Sequence, residues 1–178
     1  MKLNETDRLF LDKIMIATDP QLLLDKEHAL KRHHLLQRCY NRKHDLLTYL
    51  HQVDRLILGG SFFAALAARD IPVSVERQKP NKSTPGATRL RNGKFTIHIR
   101  TKAGSRVHNQ AEVGNRRCYT REGCDTALIL HEFVHMLEFY LRAVTGCMTG
   151  YSEIDQDNVL FRKWLWLLIG QEDVYNYF

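Results

Sequence analysis

Leucine-rich stretches with a helical period dominate the first third of the chain. Apolar residues recur every three or four positions there, and this spacing predicts amphipathic helices. Asp19 and Pro20 are a typical start signal for the second helix, because Asp caps a helix and Pro suits its first position. Gly59 and Gly60 interrupt the pattern before a short alanine-rich helix. The predicted helices cover residues 7–16, 21–40, 43–58 and 61–69.

The periodicity then changes to the alternation that is typical of strands. Val73 and Val75 alternate with polar residues, which predicts a strand. Two further alternating stretches, 87–91 and 94–100, flank Asn92-Gly93, a pair that tolerates the positive φ angles of a type I′ turn. The sequence therefore predicts a β-hairpin.

One face of the second hairpin strand is predicted to be buried. Phe95, Ile97 and Ile99 share that face, so His98, on the other face, is expected to be exposed. Residues 101–124 are basic and contain glycine, and they predict an irregular loop.

A helix with apolar residues on nearly every side follows the predicted loop. Asp125 or Thr126 can cap it, and Gly146 is a typical stop. Such a helix is expected at the centre of the fold. A last helix is predicted over 157–169. The elements indicate an α+β fold in one domain, with a helical N-terminal region (1–60) packed on a core domain (61–178).

The composition is that of an ordinary globular protein. The chain has 178 residues, of which 44% are hydrophobic and 26% charged. The apolar stretch 159–169 contains two basic residues and is too short to span a bilayer, and residues 1–8 do not resemble a signal peptide. The four cysteines form no C-x-x-C pair. We therefore expect an intracellular protein, cytoplasmic or nuclear, with no membrane partner.

The central helix carries an H-E-x-x-H motif, His131 to His135. Histidines four residues apart project from one helix face and can bind one Zn²⁺. Two neutral imidazoles leave the ion electrophilic enough to acidify a water, and a nearby carboxylate can take the proton as the water attacks a peptide carbonyl. The motif predicts a zinc peptidase with His131 and His135 as ligands and Glu132 as the general base.

The motif does not supply the third ligand that a catalytic zinc usually takes. No histidine follows His135, and the metzincin extension would place one at Leu141. Glu153, eighteen residues after His135, is the preferred candidate, because its spacing resembles that of gluzincins. In the same pattern, Asp157 would orient a zinc-bound histidine. Alternatively these acids only begin a helix, where the macrodipole favours them. The other candidate ligands left open are Tyr151, Asp155 and Asp157.

Charge is strongly segregated along the chain. Between residues 77 and 121 there are twelve Lys or Arg and one Glu, whereas residues 122–178 hold nine acids and three bases. A basic stretch of this density attracts polyanions by counterion release, so nucleic acid is the expected partner, although a solvated basic loop has the same composition. The candidate nucleic-acid contacts are Arg89, Arg91, Lys94, Arg100, Lys102, Arg106, Arg116 and Arg117.

The order of these motifs resembles that of the SprT-like metalloproteases, which include the Spartan proteases. The resemblance rests on P-V-x-V, G-x-T-R, F-T-I-H-I and D-T-A-L-I-L-H-E-F-V-H-M-L, and it covers about residues 61–141. It implies a zincin core and activity on proteins covalently trapped on DNA. It also implies His131 and His135 as zinc ligands and Glu132 as the base. Where the family places a third His after a glycine, this chain has Gly150 followed by Tyr151.

Three functions are compatible with these patterns. The first is a SprT-like zinc endopeptidase that acts on proteins bound or crosslinked to nucleic acid. The second is a gluzincin-like peptidase of the effector type that cleaves one protein partner and needs no DNA. The third is a degenerate zincin that only binds nucleic acid or protein.

Overall fold

The computed structural model describes residues 2–40, 45–79, 86–100, 106–109, 114–117, 121–146 and 168. Within these ranges the fold is mixed α+β, with six helices, a three-stranded sheet and a two-stranded ladder, which confirms the expected class. The predicted C-terminal helix lies outside the described residues except for Leu168, which is helical and buried. The elements are α1 Glu5–Ala17, α2 Pro20–Leu24, α3 Lys26–Arg38, α4 Leu46–Leu58, α5 Ser61–Ala67, β1 Val73–Arg77, β2 Gly86–Arg91, β3 Lys94–Ile99, β4 Arg106–Asn109, β5 Gly114–Arg117 and α6 Arg121–Thr145.

Aspartate and asparagine caps define where the N-terminal helices begin. The side chain of Asn4 accepts a hydrogen bond from the backbone of Asp7 and completes a capping box at α1. Asp19 caps α2 as predicted, with Pro20 at its first position. The predicted helix over 21–40 is wrong in its continuity. Asp25 has an extended backbone, and its carboxylate accepts from two amides of the following turn, so it ends α2 and begins α3.

The three-stranded sheet has the order β1-β3-β2, with β1 parallel and β2 antiparallel to β3. The predicted hairpin is confirmed: Asn92 and Gly93 both have positive φ, at 50° and 70°, as a type I′ turn requires. Because β3 is central, β2 and β1 form the two edges within the described part of the sheet. The edge strand β2 and helix α6 lie in contact, which places this edge beside the H-E-x-x-H motif.

His98 is buried, so its predicted exposure was wrong. Phe95, Ile97 and Ile99 are buried as expected, but His98 on the other face is only 8% exposed. Glu76 lies beside it on β1, and the amide nitrogen of Gln78 is 2.7 Å from its Nδ1. Burial lowers the pKa of His98, although Glu76 opposes this effect. Glu76 and Gln78 thus lie against a side chain that strand alternation alone assigns to solvent.

The described parts of residues 101–124 are regular, so the irregular loop that the composition predicted is wrong for residues 106–109, 114–117 and 121–124. They contain the antiparallel ladder of β4 and β5, and the first turn of α6. The helix therefore begins before Asp125 and Thr126, which were the predicted caps. Asp125 is instead buried inside the helix, where its carboxylate pairs with the guanidinium of Arg77 at the end of β1. This ion pair joins the sheet to α6.

Helix α6 occupies the centre of the fold, as its apolar sequence predicted. It packs against β2, β3, β4 and α4. Its C-terminus is at Thr145, and Gly146 follows with a φ of 69°, the left-handed conformation that ends many helices. No helix among the described residues combines the length and the apolar character that a membrane span requires. The fully buried apolar residues of α6 include Ile129, Phe133, Val134, Met136, Leu137 and Tyr140.

An aromatic cluster joins the helical N-terminal region to α6. The rings of Phe10, Phe62 and Tyr140 lie with centroids 5.4 to 5.7 Å apart, and Phe133 packs edge-on against Phe62. Aromatic pairs in this geometry contribute about 0.5–1.5 kcal/mol beyond their buried area. Helix α6, which carries the motif, therefore packs against the N-terminal helices as well as against the sheet.

A buried polar network lies beside these rings and connects the same elements. Asp7 is fully buried and accepts hydrogen bonds from Arg69 Nε at 3.0 Å and from the Tyr140 hydroxyl at 2.6 Å. Burial alone would raise the pKa of Asp7, but the hydrogen bonds from Arg69, Tyr140 and Asn4 outweigh it and lower the pKa from 3.8 to about 2.

Replacement of Asp7 by Asn is expected to lower the free energy of unfolding by about 2–4 kcal/mol, because it leaves Arg69 without its buried anion. Since the folded-state pKa lies below the unfolded value of 3.8, the contribution of Asp7 is present above about pH 4 and is lost as the pH falls towards 2. Denaturant unfolding at pH 7 and pH 3 checks both statements. Asp12→Asn on the exposed face of α1 is the matched control, and an equal effect of the two variants would contradict this account.

Candidate metal centre

The imidazoles of His131 and His135 face each other on α6. Their Nε2 atoms are 3.2 Å apart, and the ring planes cross at 75°. Two nitrogens that each lie about 2.0–2.1 Å from one tetrahedral zinc ion are about 3.3 Å from each other. The observed separation therefore fits a shared zinc ion, and it also fits a hydrogen bond between two neutral imidazoles.

The pair lies at the boundary between the core and solvent. His131 is buried, with 9% of its surface exposed, whereas the side chain of His135 keeps 24%. A catalytic metal centre needs such a one-sided opening, because a substrate must reach the ion while the ligands stay fixed.

Glu132 points towards the sheet and is held there by a residue of β2. The Thr88 hydroxyl lies 2.6 Å from Glu132 Oε2, so it donates a short hydrogen bond to the carboxylate. Burial raises the pKa of Glu132, and the hydrogen bond from Thr88 and the proximity of His135 partly offset the rise. A carboxylate with a raised pKa is a better proton acceptor, as a general base must be.

Gly86 allows β2 to approach this carboxylate closely. A β-carbon on residue 86 would lie 2.5 Å from Glu132 Oε1 and 2.5 Å from a methyl group of Leu128. A side chain there would require Glu132, Leu128 or the strand itself to shift. The glycine at the start of β2 is therefore part of the site's construction.

The carboxylate of Glu138 contacts the second nitrogen of His135. Its Oε2 lies 3.2 Å from His135 Nδ1, and Glu138 itself is only 8% exposed. The two residues are three positions apart on α6, so one helical turn brings them together.

The predicted third ligand is not among the described residues. Glu153, the preferred ligand, and its alternatives Tyr151, Asp155 and Asp157 all lie outside them. Within the described ranges, no group of three His, Cys, Asp or Glu side chains is arranged to hold a metal ion. His131 and His135 are thus the two candidate ligands that the structure places together.

Several predicted nucleic-acid contacts share the outer face of the hairpin. Successive strand residues face opposite sides, so Arg89 and Arg91 point away from the face on which Thr88 meets Glu132. Lys94 pairs with Arg91 in the register and shares that outer face. Arg100 follows β3 and donates to the side chain of Gln78.

For the remaining basic candidates the structure describes at most the strand on which each residue lies. Arg106 lies on β4, and Arg116 and Arg117 on β5, with side chains outside what the structure describes. Lys102 lies outside the described residues altogether.

Three residues of the centre were not singled out from the sequence. Thr88 and Gly86 belong to the quoted G-x-T-R string, but nothing local indicates that they meet a helix more than forty residues later. Glu138 could have been found, because a carboxylate three residues after a ligand histidine shares its helix face.

Comparisons with known proteins add no information about the site. No protein-family model, no curated protein and no solved structure matches this chain.

Proposed function

We propose that this protein is a zinc-dependent endopeptidase of the SprT-like type, built on a zincin-like core. The observation that carries the proposal is the 3.2 Å approach of His131 Nε2 to His135 Nε2 beside the buried carboxylate of Glu132. The separation agrees with two nitrogen ligands on one zinc ion.

The residues of the centre have distinct roles in this proposal. His131 and His135 would hold the ion, which supplies Lewis-acid chemistry by polarising a peptide carbonyl and acidifying a water. Glu132 would take the proton from the attacking water and deliver it to the leaving amine. Thr88 keeps that carboxylate in place through its 2.6 Å hydrogen bond.

The edge strand β2 supports a peptide substrate in an extended conformation. Its outer edge is unpaired within the described sheet, and its inner face contacts Glu132 through Thr88. An extended peptide that adds to this edge by main-chain hydrogen bonds would run beside the motif. The direct test is cleavage of an unfolded protein by the zinc-loaded chain, with Glu132→Gln as the inactive variant.

We further propose that the substrates are proteins bound to nucleic acid. The support is the basic outer face of the hairpin, where Arg89, Arg91 and Lys94 are all exposed. Arg91 and Lys94 pair directly across the two strands, an arrangement of like charges that costs free energy unless an anion offsets it. This face lies on the opposite side of the sheet from Glu132, so nucleic acid there would leave the metal centre open.

The double variant Arg89→Ala, Arg91→Ala is expected to weaken DNA binding, and to lower the slope of log affinity against log salt by about 2, one unit for each lost phosphate contact. Fluorescence anisotropy with single- and double-stranded DNA at several salt concentrations measures both quantities. The control removes the same charge from α1, through Arg8→Ala with Lys13→Ala, two exposed residues. If the wild-type chain binds no DNA at low salt, a peptidase for one specific protein partner replaces this part of the proposal.

A further inference from the structure

We propose that Glu138 is a positioning residue of the metal centre, which fixes His135 in the tautomer that binds zinc. The inference rests on the proposed function, since it assumes that His131 and His135 hold the ion. The sequence assigned a comparable role only to Asp157, and it gave Glu138 no role.

The geometry determines which nitrogen of His135 carries the proton. A neutral imidazole donates from one nitrogen and accepts at the other, and a carboxylate can only accept. With Glu138 Oε2 at 3.2 Å from His135 Nδ1, the proton of His135 lies on Nδ1. The lone pair of Nε2 then faces His131 Nε2, 3.2 Å away, where the ion would sit.

The same contact strengthens His135 as a ligand. A hydrogen bond from Nδ1–H to a carboxylate orients the ring and makes the other nitrogen more basic. His135 needs this support more than His131, because its side chain is 24% exposed and so less constrained by packing.

The surroundings of Glu138 also indicate a role beyond stability. Its neighbours on α6 include the buried residues Val134, Leu137 and Leu141, and Glu138 itself is 8% exposed. A carboxylate in such a position costs free energy relative to a leucine. A role in orienting a metal ligand would explain why a carboxylate occupies this buried position.

The test is the affinity of the metal-free 178-residue chain for Zn²⁺ alone, measured by competition with a chromophoric chelator. Glu138→Gln is expected to weaken zinc binding about tenfold, and Glu138→Ala up to about 100-fold, the range found when such partners of ligand histidines are removed. Gln keeps an acceptor oxygen, so its effect is the smaller one. Glu76→Gln, the same carboxylate-to-amide change at an exposed residue on the outer face of the sheet, should leave zinc affinity unchanged.

Thermal unfolding of the metal-free variants separates this role from a structural one. Positioning predicts weaker zinc binding with little change in the melting temperature of the metal-free Gln variant. If wild type binds zinc and Glu138→Gln and Glu138→Ala bind it equally well, the inference is overturned while the proposed function stands. If the wild-type chain binds no zinc, both are overturned. Should Glu138→Ala fail to fold, the isosteric Gln variant decides.

Discussion

Glu132→Gln is expected to lower the rate of peptide hydrolysis at least about 1,000-fold, within the range that general-base catalysis supplies. The amide of Gln cannot accept a proton from water at neutral pH. Its oxygen can still accept the hydrogen bond from the Thr88 hydroxyl, which lies 2.6 Å from Glu132 Oε2. The variant therefore loses the base without losing the contact between β2 and α6.

Turnover of an unfolded protein substrate, measured together with zinc content, tests this expectation. Zinc content should stay at the wild-type value, because Glu132 is not one of the proposed ligands. Glu76→Gln, the same chemical change on the outer face of the sheet, should leave turnover unaffected. Substantial turnover by a zinc-loaded Glu132→Gln chain would remove Glu132 from the mechanism.

The position of the Glu132 carboxylate depends on how the sheet packs against α6. Gly86 brings the strand so near that a β-carbon would collide with Glu132 Oε1, and Thr88 then holds the other carboxylate oxygen. Arg77 at the end of β1 pairs with Asp125 in α6, which joins the same sheet to the same helix a second time. The sheet and helix α6 are thereby joined through two strands, and Glu132 itself is contacted by β2.

The sequence correctly predicted the elements that depend on the backbone preferences of neighbouring residues. The Asn92-Gly93 turn, the Asp19-Pro20 start and the glycines after α4 act through their own backbone preferences, and the structure confirms each of them. The buried helix with the H-E-x-x-H motif was also predicted, since an apolar residue on every face requires surrounding protein. These features need no knowledge of distant partners.

The features that local patterns missed depend on distant partners. His98 is buried and lies against the side chains of Glu76 and Gln78, and alternation along one strand cannot show this. Asp125 resembles a helix cap in sequence, yet its partner is Arg77, 48 residues away. Thr88 and Glu132 are separated by 44 residues, so their contact follows only from the packing of β2 on α6.

Removal of either histidine is expected to have the second large effect, the loss of bound zinc. His131→Ala and His135→Ala each leave one imidazole of the pair. A site that loses one of its few ligands is expected to release its zinc during purification. Proteolysis should disappear with the metal. His34→Ala, which removes an exposed histidine from α3, is the matched control and should change neither zinc content nor activity.

The zinc content of the purified chain, determined by inductively coupled plasma mass spectrometry, tests the central claim most directly. We expect about one zinc ion per wild-type chain and per His34→Ala chain, and almost none in His131→Ala or His135→Ala. A well-folded wild-type chain that takes up no zinc, or histidine variants that retain it in full, would contradict the proposed metal centre.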